Sequence, residues 1–438
     1  MTDTAARPSS TDSYLEELQS FLDAEWDPDL TVAAWWEKLG AEGWSAPAWP
    51  VDCYGRGLSP ADAVKVQRAI TDHGALGAPG GLGLLLAGPT IATHGNEEQK
   101  KVWLREIVTG QKGWCQLFSE PGAGSDLAGL NSKAVRDGEE WIVNGQKVWT
   151  SAGHIADMGM LIARTDPDAP KHRGITYFGI DMHQDKAIEV RPLKEMTGRA
   201  LFNEVFLSEA RVPADNVIGD YGQGWIVANT TLAFERAGLG AGGGSAAASA
   251  ATPGTISGDL DRRAGDFVGG PSRRGGGGPS SLGANNMVEA ARTAGRLDDP
   301  IVRQELMRLH TANELARIGA QRLKAEKAAG RDIPGYGNLA KLSMSEILRR
   351  SRELGLALLG PAGTLHSYDT EGRKVLADAP IPDQAMAITE MALFSPGPPI
   401  YGGTDQVQRN IIGERVLGLP KEPGPGKDTP FSELPKNG

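Results

Sequence analysis

The spacing of apolar residues changes twice along this chain, and that constrains its fold more than any other feature. Up to about residue 113 and from about residue 223 onward they recur at helical intervals, whereas between them they alternate. A period of three to four buries one face of a helix; a period of two buries one face of a strand. In the first region Ser10-Thr11-Asp12 opens a helix to about Trp26 and Ser59-Pro60-Ala61-Asp62 opens another. The second start has serine at the cap and proline in the first turn. Asn96-Glu97-Glu98-Gln99 starts a third helix, ending near Gly110. The middle region holds Trp141-Ile142-Val143, Gly174 to Ile180 and Asn203 to Leu207, with turn signals such as Arg136-Asp137-Gly138. In the last region Asp299-Pro300 precedes Val302, Leu306, Leu309, Ala312, Ala316 and Leu323 at helical spacing. Further helices are predicted over 338–359 and from Thr404. The pattern predicts an α+β multidomain chain. It has an N-terminal helical domain (1–113), a central β-barrel-like domain (114–220) and a C-terminal four-helix bundle (221–438).

One stretch breaks the bundle. Residues 238–285 are dominated by Gly, Ala and Ser, including Gly242-Gly243-Gly244 and Gly275-Gly276-Gly277-Gly278. Such a composition buries too little apolar surface to offset ordering entropy, so a mobile insertion is expected, with a short helix near Ile256–Phe267.

Several function classes are disfavoured. A formal net charge of −10 argues against general binding to nucleic acid or anionic membrane. Two cysteines, Cys53 and Cys115, make neither a disulfide framework nor a metal cluster, so a reducing cytoplasm is expected. The first residues lack the apolar core of a secretion signal. Residues 74–92 are uncharged, but their glycines, Pro79 and Pro89 suit a buried helix with flanking loops and not membrane insertion.

Chemistry concentrates in three segments. Residues 114–126 read Trp-Cys-Gln-Leu-Phe-Ser-Glu-Pro-Gly-Ala-Gly-Ser-Asp, and Asn144-Gly145-Gln146-Lys147-Val148-Trp149-Thr150-Ser151 follows. A Gly/Pro turn with small hydroxyls, paired with a tryptophan beside Thr and Ser, can lie against a planar cofactor and hydrogen-bond its edge. The third segment, Ile400 to Asn410, carries Thr404 as an N-cap, and a helix N-terminus attracts phosphate.

These segments resemble the flavin-contacting segments of the acyl-CoA dehydrogenase family, from about residue 14 to residue 420 apart from the insertion. The resemblance implies FAD as cofactor. It makes Ser119 a hydrogen-bond partner of the flavin ring, Ser151 a partner of its reactive edge and Trp149 a packing surface. Leu117, Phe118, Thr150, Thr404 and Gln406 become further cofactor contacts, with Phe118 presenting backbone. Gly124 and Ser125 line the flavin or acyl-thioester path, and Ser125, Arg236 and Gly402 face substrate.

Two departures matter. Many family members carry the catalytic glutamate where this chain has Gly402, which cannot abstract a proton. Relatives resembling isovaleryl- and long-chain acyl-CoA dehydrogenases place it before an arginine on the first bundle helix, here Leu232-Ala233-Phe234-Glu235-Arg236. The spacing agrees independently: Trp225, Ala228, Leu232 and Glu235 share one helix face. A carboxylate there is poorly solvated, and its raised pKa suits a base. The competing reading is a buried ion pair with Arg236 or another chain, although sequence neighbours on a helix point apart. The second departure is at the adenine end. The family's Arg-x-x-Phe-Gly motif is missing, and Ala357 to Gly363 lacks the glutamine that often precedes its glycine. Adenine binding is therefore rebuilt or supplied by a partner subunit.

The implied reaction is α,β-dehydrogenation of an acyl-CoA thioester with a bulky, branched, long-chain or steroid-derived acyl group. Glu235 removes the α-proton, flavin N5 accepts the β-hydride, and an electron-transfer flavoprotein takes the electrons. A homo-oligomer or a heterotetramer with a related subunit is implied. Two alternatives stay open: a flavin monooxygenase or oxidase on the same scaffold, and a non-catalytic or half-site subunit of a heteromeric acyl-CoA dehydrogenase.

Overall fold

The computed structural model describes residues 13–240, 250–268, 284–421, 423–424, 426 and 428–435. The helices at the N-terminal end are α1 (Ser13–Glu25), α2 (Val32–Ala41), α3 (Pro60–His73), α4 (Gly88–His94), α5 (Glu97–Gln99) and α6 (Arg105–Val108). Their starts follow local chemistry. The Ser59 hydroxyl accepts from the Asp62 amide at 3.1 Å ahead of Pro60. Asn96 and Gln99 form a reciprocal capping box. Ser10-Thr11-Asp12 lies outside the described residues. Residues 74–92 contain a π-helical turn, Gly83–Ala87, running straight into α4. Among the described residues no helix is long and apolar enough to cross a membrane.

Seven strands follow: β1 (Trp114–Leu117), β2 (Lys133–Asp137), β3 (Glu140–Ser151), β4 (Met158–Arg164), β5 (Ile175–Asp181), β6 (Ile188–Leu193) and β7 (Phe202–Pro213). They form one mixed sheet in the order β1-β4-β2-β3-β7-β6, with β5 on β4. The period of two divides the side chains between two cores. Trp114, Phe118, Met160, Ile162 and Tyr177 face Leu86, Ile91, Val227 and Ala228. Cys115, Leu117, Leu161, Phe178 and Val205 fill the other side. Each fully buried Leu, Ile or Phe contributes about 1.5–3 kcal/mol.

The C-terminal helices are α7 (Gly224–Gly240), α8 (Ala284–Thr293), α9 (Pro300–Ala328), α10 (Tyr336–Leu359), α11 (Thr370–Ala377), α12 (Pro382–Phe394) and α13 (Asp405–Ile411). Leu306, Leu309, Leu354, Leu358, Ile381 and Ile388 build their core. Helix α7 packs differently: its buried Val227 and Ala228 join the sheet-facing core, which lays it across the strands. The architecture is the expected α+β arrangement, with helices at both ends and a curled mixed sheet between them.

The insertion differs from expectation wherever it is described. Residues 250–268 are docked on the N-terminal helices and not free. Val32 and Ala33 amides donate to the Arg262 and Leu260 carbonyls at 2.8 and 2.9 Å. Ala264 and Gly265 donate back to Leu30 and Pro28. Ala251 and Ala264 are buried among Trp35, Trp36 and Leu39. The buried carboxylate of Asp157 accepts from the Gly113 amide (2.7 Å) and the Thr255 amide (3.1 Å), and it also binds the Thr255 hydroxyl. In place of a helix over 256–267 there is one 3-10 turn, Ala264–Phe267. The glycine runs at 242–244 and 275–278 lie outside the described residues.

Candidate functional site

The first two motifs meet at the end of β1. The Val148 amide donates to the Ser119 carbonyl at 2.9 Å, which joins the Gly/Pro turn to strand β3. A buried lysine strengthens that junction. Lys147 has 0% exposure, and its ammonium donates to the Phe118 carbonyl (3.1 Å), the Ile162 carbonyl (2.9 Å) and Glu120 Oε1 (2.8 Å). Glu120 also accepts from the Asn131 and Ser132 amides at 2.7 and 3.0 Å. Burial alone would raise its carboxyl pKa; the Lys147 charge and these bonds outweigh that and hold it lowered.

Trp149 sits in a β-bulge between Lys147 and Thr150. Its φ of 62° is left-handed, rare for a bulky residue, and its side chain is 56% exposed. The ring rests edge-on against Phe202 at 5.9 Å. Beside it the fully buried Thr150 hydroxyl has no hydrogen-bond partner among the described residues. Ser119 and Ser151 are both half-buried. A strained backbone holding a bare indole face next to an orphaned hydroxyl fits a planar ligand with polar edges.

Other predicted contacts divide. Phe118 is buried and meets Tyr177 edge-on at 5.8 Å. The Leu117 side chain lies in the core on the opposite sheet face, which leaves only its backbone for a ligand. Gly124 and Ser125 are exposed at the tip of the turn. Residues 400–408 form a separate, anchored segment. Gly402 and Gly403 are left-handed, at φ 62° and 81°. Thr404 caps α13 by accepting from the Val407 amide at 3.1 Å. Asp405 holds Lys341 and Ser345, each at 2.8 Å. Gln406 is exposed. Among the described residues no hydrogen bond joins this segment to the Ser119–Trp149 platform.

Glu235 lies on the inner face of α7, on the same face as Thr231 and Ala228. Burial raises its pKa, opposed by a contact from Gln116 and by the charge of Arg236. The Gln116 amide reaches Glu235 Oε2 at 3.5 Å. Gln116 and Phe118 point to one side of β1, so the carboxylate stands one strand step from the platform. Arg236 is more exposed, and burial lowers its guanidinium pKa, with Arg415 adding to the effect. Gln116, Lys147 and Glu120 sit inside the two motifs, yet neither spacing nor composition revealed their contacts. The only signal was a lone lysine and a lone glutamate, each among uncharged neighbours.

Comparison with known proteins decides the family. Models of the acyl-CoA dehydrogenase N-terminal, middle and C-terminal domains match residues 10–111, 115–209 and 283–417. Acyl-CoA dehydrogenase IpdE1 of Mycobacterium tuberculosis is 33% identical over 398 residues, covering 89% of this chain and 88% of that protein. The chain belongs to the acyl-CoA dehydrogenase family. As such it is an oxidoreductase acting on the CH–CH bond of an acyl-CoA, and its family implies a flavin. Acyl-CoA dehydrogenase FadE34 of the same organism is 36% identical over 389 residues, 87% of this chain but 46% of that protein. Among solved structures, the Tcur3481-Tcur3483 steroid ACAD superposes with a TM-score of 0.65 at 25% identity, covering 95% of this chain and 99% of that one. The ChsE4-ChsE5 complex from Mycobacterium tuberculosis gives 0.62 at 24% identity, with coverage of 96% and 100%, and shows the shared fold. The family's domain models leave 210–282 unmatched, which includes α7 with Glu235 and the docked strap of residues 250–268.

Proposed function

We propose that this acyl-CoA dehydrogenase binds FAD and uses Glu235 as the base that removes the α-proton of a bulky, branched, long-chain or steroid-derived thioester. One observation carries this reading: a half-buried carboxylate on α7 stands over β1, in contact with Gln116, one strand step from the Ser119–Trp149 platform. Gly402 leaves the other family position without a base. A raised pKa makes Glu235 a stronger base than an exposed carboxylate.

Bound FAD would supply the acceptor for the β-hydride. Ser119, Thr150 and Ser151 would bond its ring edge, Trp149 would pack on its face, and Leu117 and Phe118 would present backbone. Thr404 and Gln406 would serve its phosphate side. Gly124, Ser125 and Arg236 would line the thioester path, and Gly402 would leave room beside the acyl group. Electrons would pass to an electron-transfer flavoprotein. The likeness to a steroid ACAD supports a large acyl group.

A second reading has its own support. The adenine-side Arg-x-x-Phe-Gly motif is missing, and both structural relatives named above are pairs of unequal subunits. A second subunit would then complete the site. The visible spectrum of the chain purified alone, with identification of the released cofactor, tests both readings. FAD at about one per chain supports the self-sufficient enzyme; a folded, colourless protein overturns it in favour of the paired one.

A further inference from the structure

Three hydroxyls meet in the dry core beneath α7. Tyr177 Oη lies 3.1 Å from Thr231 Oγ1, which lies 3.0 Å from Thr90 Oγ1, and Thr90 lies 2.7 Å from the Leu86 carbonyl. All three side chains have 0% exposure. Hydrogen-bond bookkeeping orders the protons. Thr90 donates to Leu86, its short partner, and so accepts from Thr231. Thr231 in turn accepts from Tyr177. The chain ends on a carbonyl of the π-helical turn Gly83–Ala87, with the Val227 carbonyl as a second acceptor for Thr231 at 3.3 Å. It thus ties a strand, the base's helix and the π-turn at one point. Two of its members adjoin the site. Thr231 lies one helical turn before Glu235 on the same face. The Tyr177 ring meets Phe118 of the flavin platform.

We propose that the Tyr177–Thr231–Thr90 relay is the positioning device for the base: it fixes the rotation and depth of α7 so that Glu235 stands beside Gln116 over β1. This rests on the reading of Glu235 as the base. An apolar seam of the same area would hold the helix but leave its rotation soft, because dispersion is not directional, whereas a hydroxyl chain in a dry core has one good geometry. Tyr177, Thr231 and Thr90 are positioning residues and touch no reacting atom.

The test uses the full chain with its flavin, as Tyr177→Phe, Thr231→Val and the conservative Thr231→Ser. Hydrogen exchange of residues 224–236 is read without substrate, and kcat, KM and the pH profile with it. Tyr177→Phe and Thr231→Val should quicken exchange in that segment and lower kcat about tenfold, with KM changed by less than about twofold. The acid limb of the profile should move to lower pH as water reaches Glu235. Thr231→Ser should restore all three. Tyr177→Phe keeps the ring, so it serves if Thr231→Val does not fold. Folded variants with wild-type kcat and pH limb overturn the proposal, even if exchange quickens. Glu235→Gln run in parallel separates the two ideas: retained activity there sinks the base reading, whereas its loss beside unaffected relay variants sinks the relay alone.

Discussion

Lys147 Nζ lies 2.8 Å from Glu120 Oε1, with the lysine wholly buried and the glutamate nearly so. Each residue belongs to one of the two segments that form the Ser119–Trp149 platform, so this pair and the Val148–Ser119 bond hold the platform together. Removing one partner leaves a buried charge alone. Lys147→Met should therefore destabilise the protein by about 3–5 kcal/mol, measured by urea unfolding. Lys147→Met with Glu120→Gln should cost less than Lys147→Met alone. Loss of less than about 1 kcal/mol in the single variant would show that the pair is not structural.

The same pair sets an acid limit. Glu120 is held below its ordinary value of 4.5 in the folded chain. A depressed carboxyl contributes stability above the unfolded pKa and loses it as pH falls through the folded one. Unfolding followed between pH 6 and pH 3 should show stability falling below about pH 4.5, and Glu120→Gln should flatten that slope.

Trp149 trades backbone comfort for an exposed ring. Its left-handed φ of 62° costs about 1 kcal/mol. Its edge contact with Phe202 returns about 0.5–1.5 kcal/mol. Trp149→Gly should then leave the melting temperature of the flavin-free protein nearly unchanged while weakening FAD binding at least about tenfold, read by titration. A large drop in melting temperature with unaltered FAD affinity would make Trp149 structural.

Asp157 pins the described part of the insertion. Asp157→Ala leaves the buried Gly113 amide without its partner and releases the Thr255 amide and hydroxyl, at a cost of about 1–3 kcal/mol. Limited proteolysis should then cut within 250–268 faster than in the wild type. An unchanged digestion pattern would mean that the backbone bonds to Pro28, Leu30, Val32 and Ala33 suffice.

Much of this was legible in the sequence because the signals were local. Ser59, Asn96, Asp299 and Thr404 cap the helices they were expected to open. The short apolar runs between turn signals became β3, β5 and β7, and the Trp225–Glu235 spacing placed a carboxylate on an apolar helix face. What escaped was non-local. Strand β4 is buried at every position from Met158 to Arg164, so it shows no alternation to read. The strap looked mobile because its partners, from Pro28 to Asp157, are far away in sequence. Phe431 near the C-terminus covers the Arg164 guanidinium at 3.7 Å, where burial lowers that group to about 10. No composition rule pairs residues that distant. Gln116 and the three relay hydroxyls are ordinary polar residues until the fold brings them together.

The most direct test of the central claim compares wild type and Glu235→Gln, each loaded with FAD and mixed with an acyl-CoA thioester without oxygen. Both should bind FAD. The raised pKa of Glu235 reports a cost of burying its charge, so the glutamine variant should be at least as stable at neutral pH. The flavin absorbance should bleach in the wild type and do so at least about a hundredfold more slowly in the variant. Bleaching at the wild-type rate in Glu235→Gln would contradict the assignment of the base.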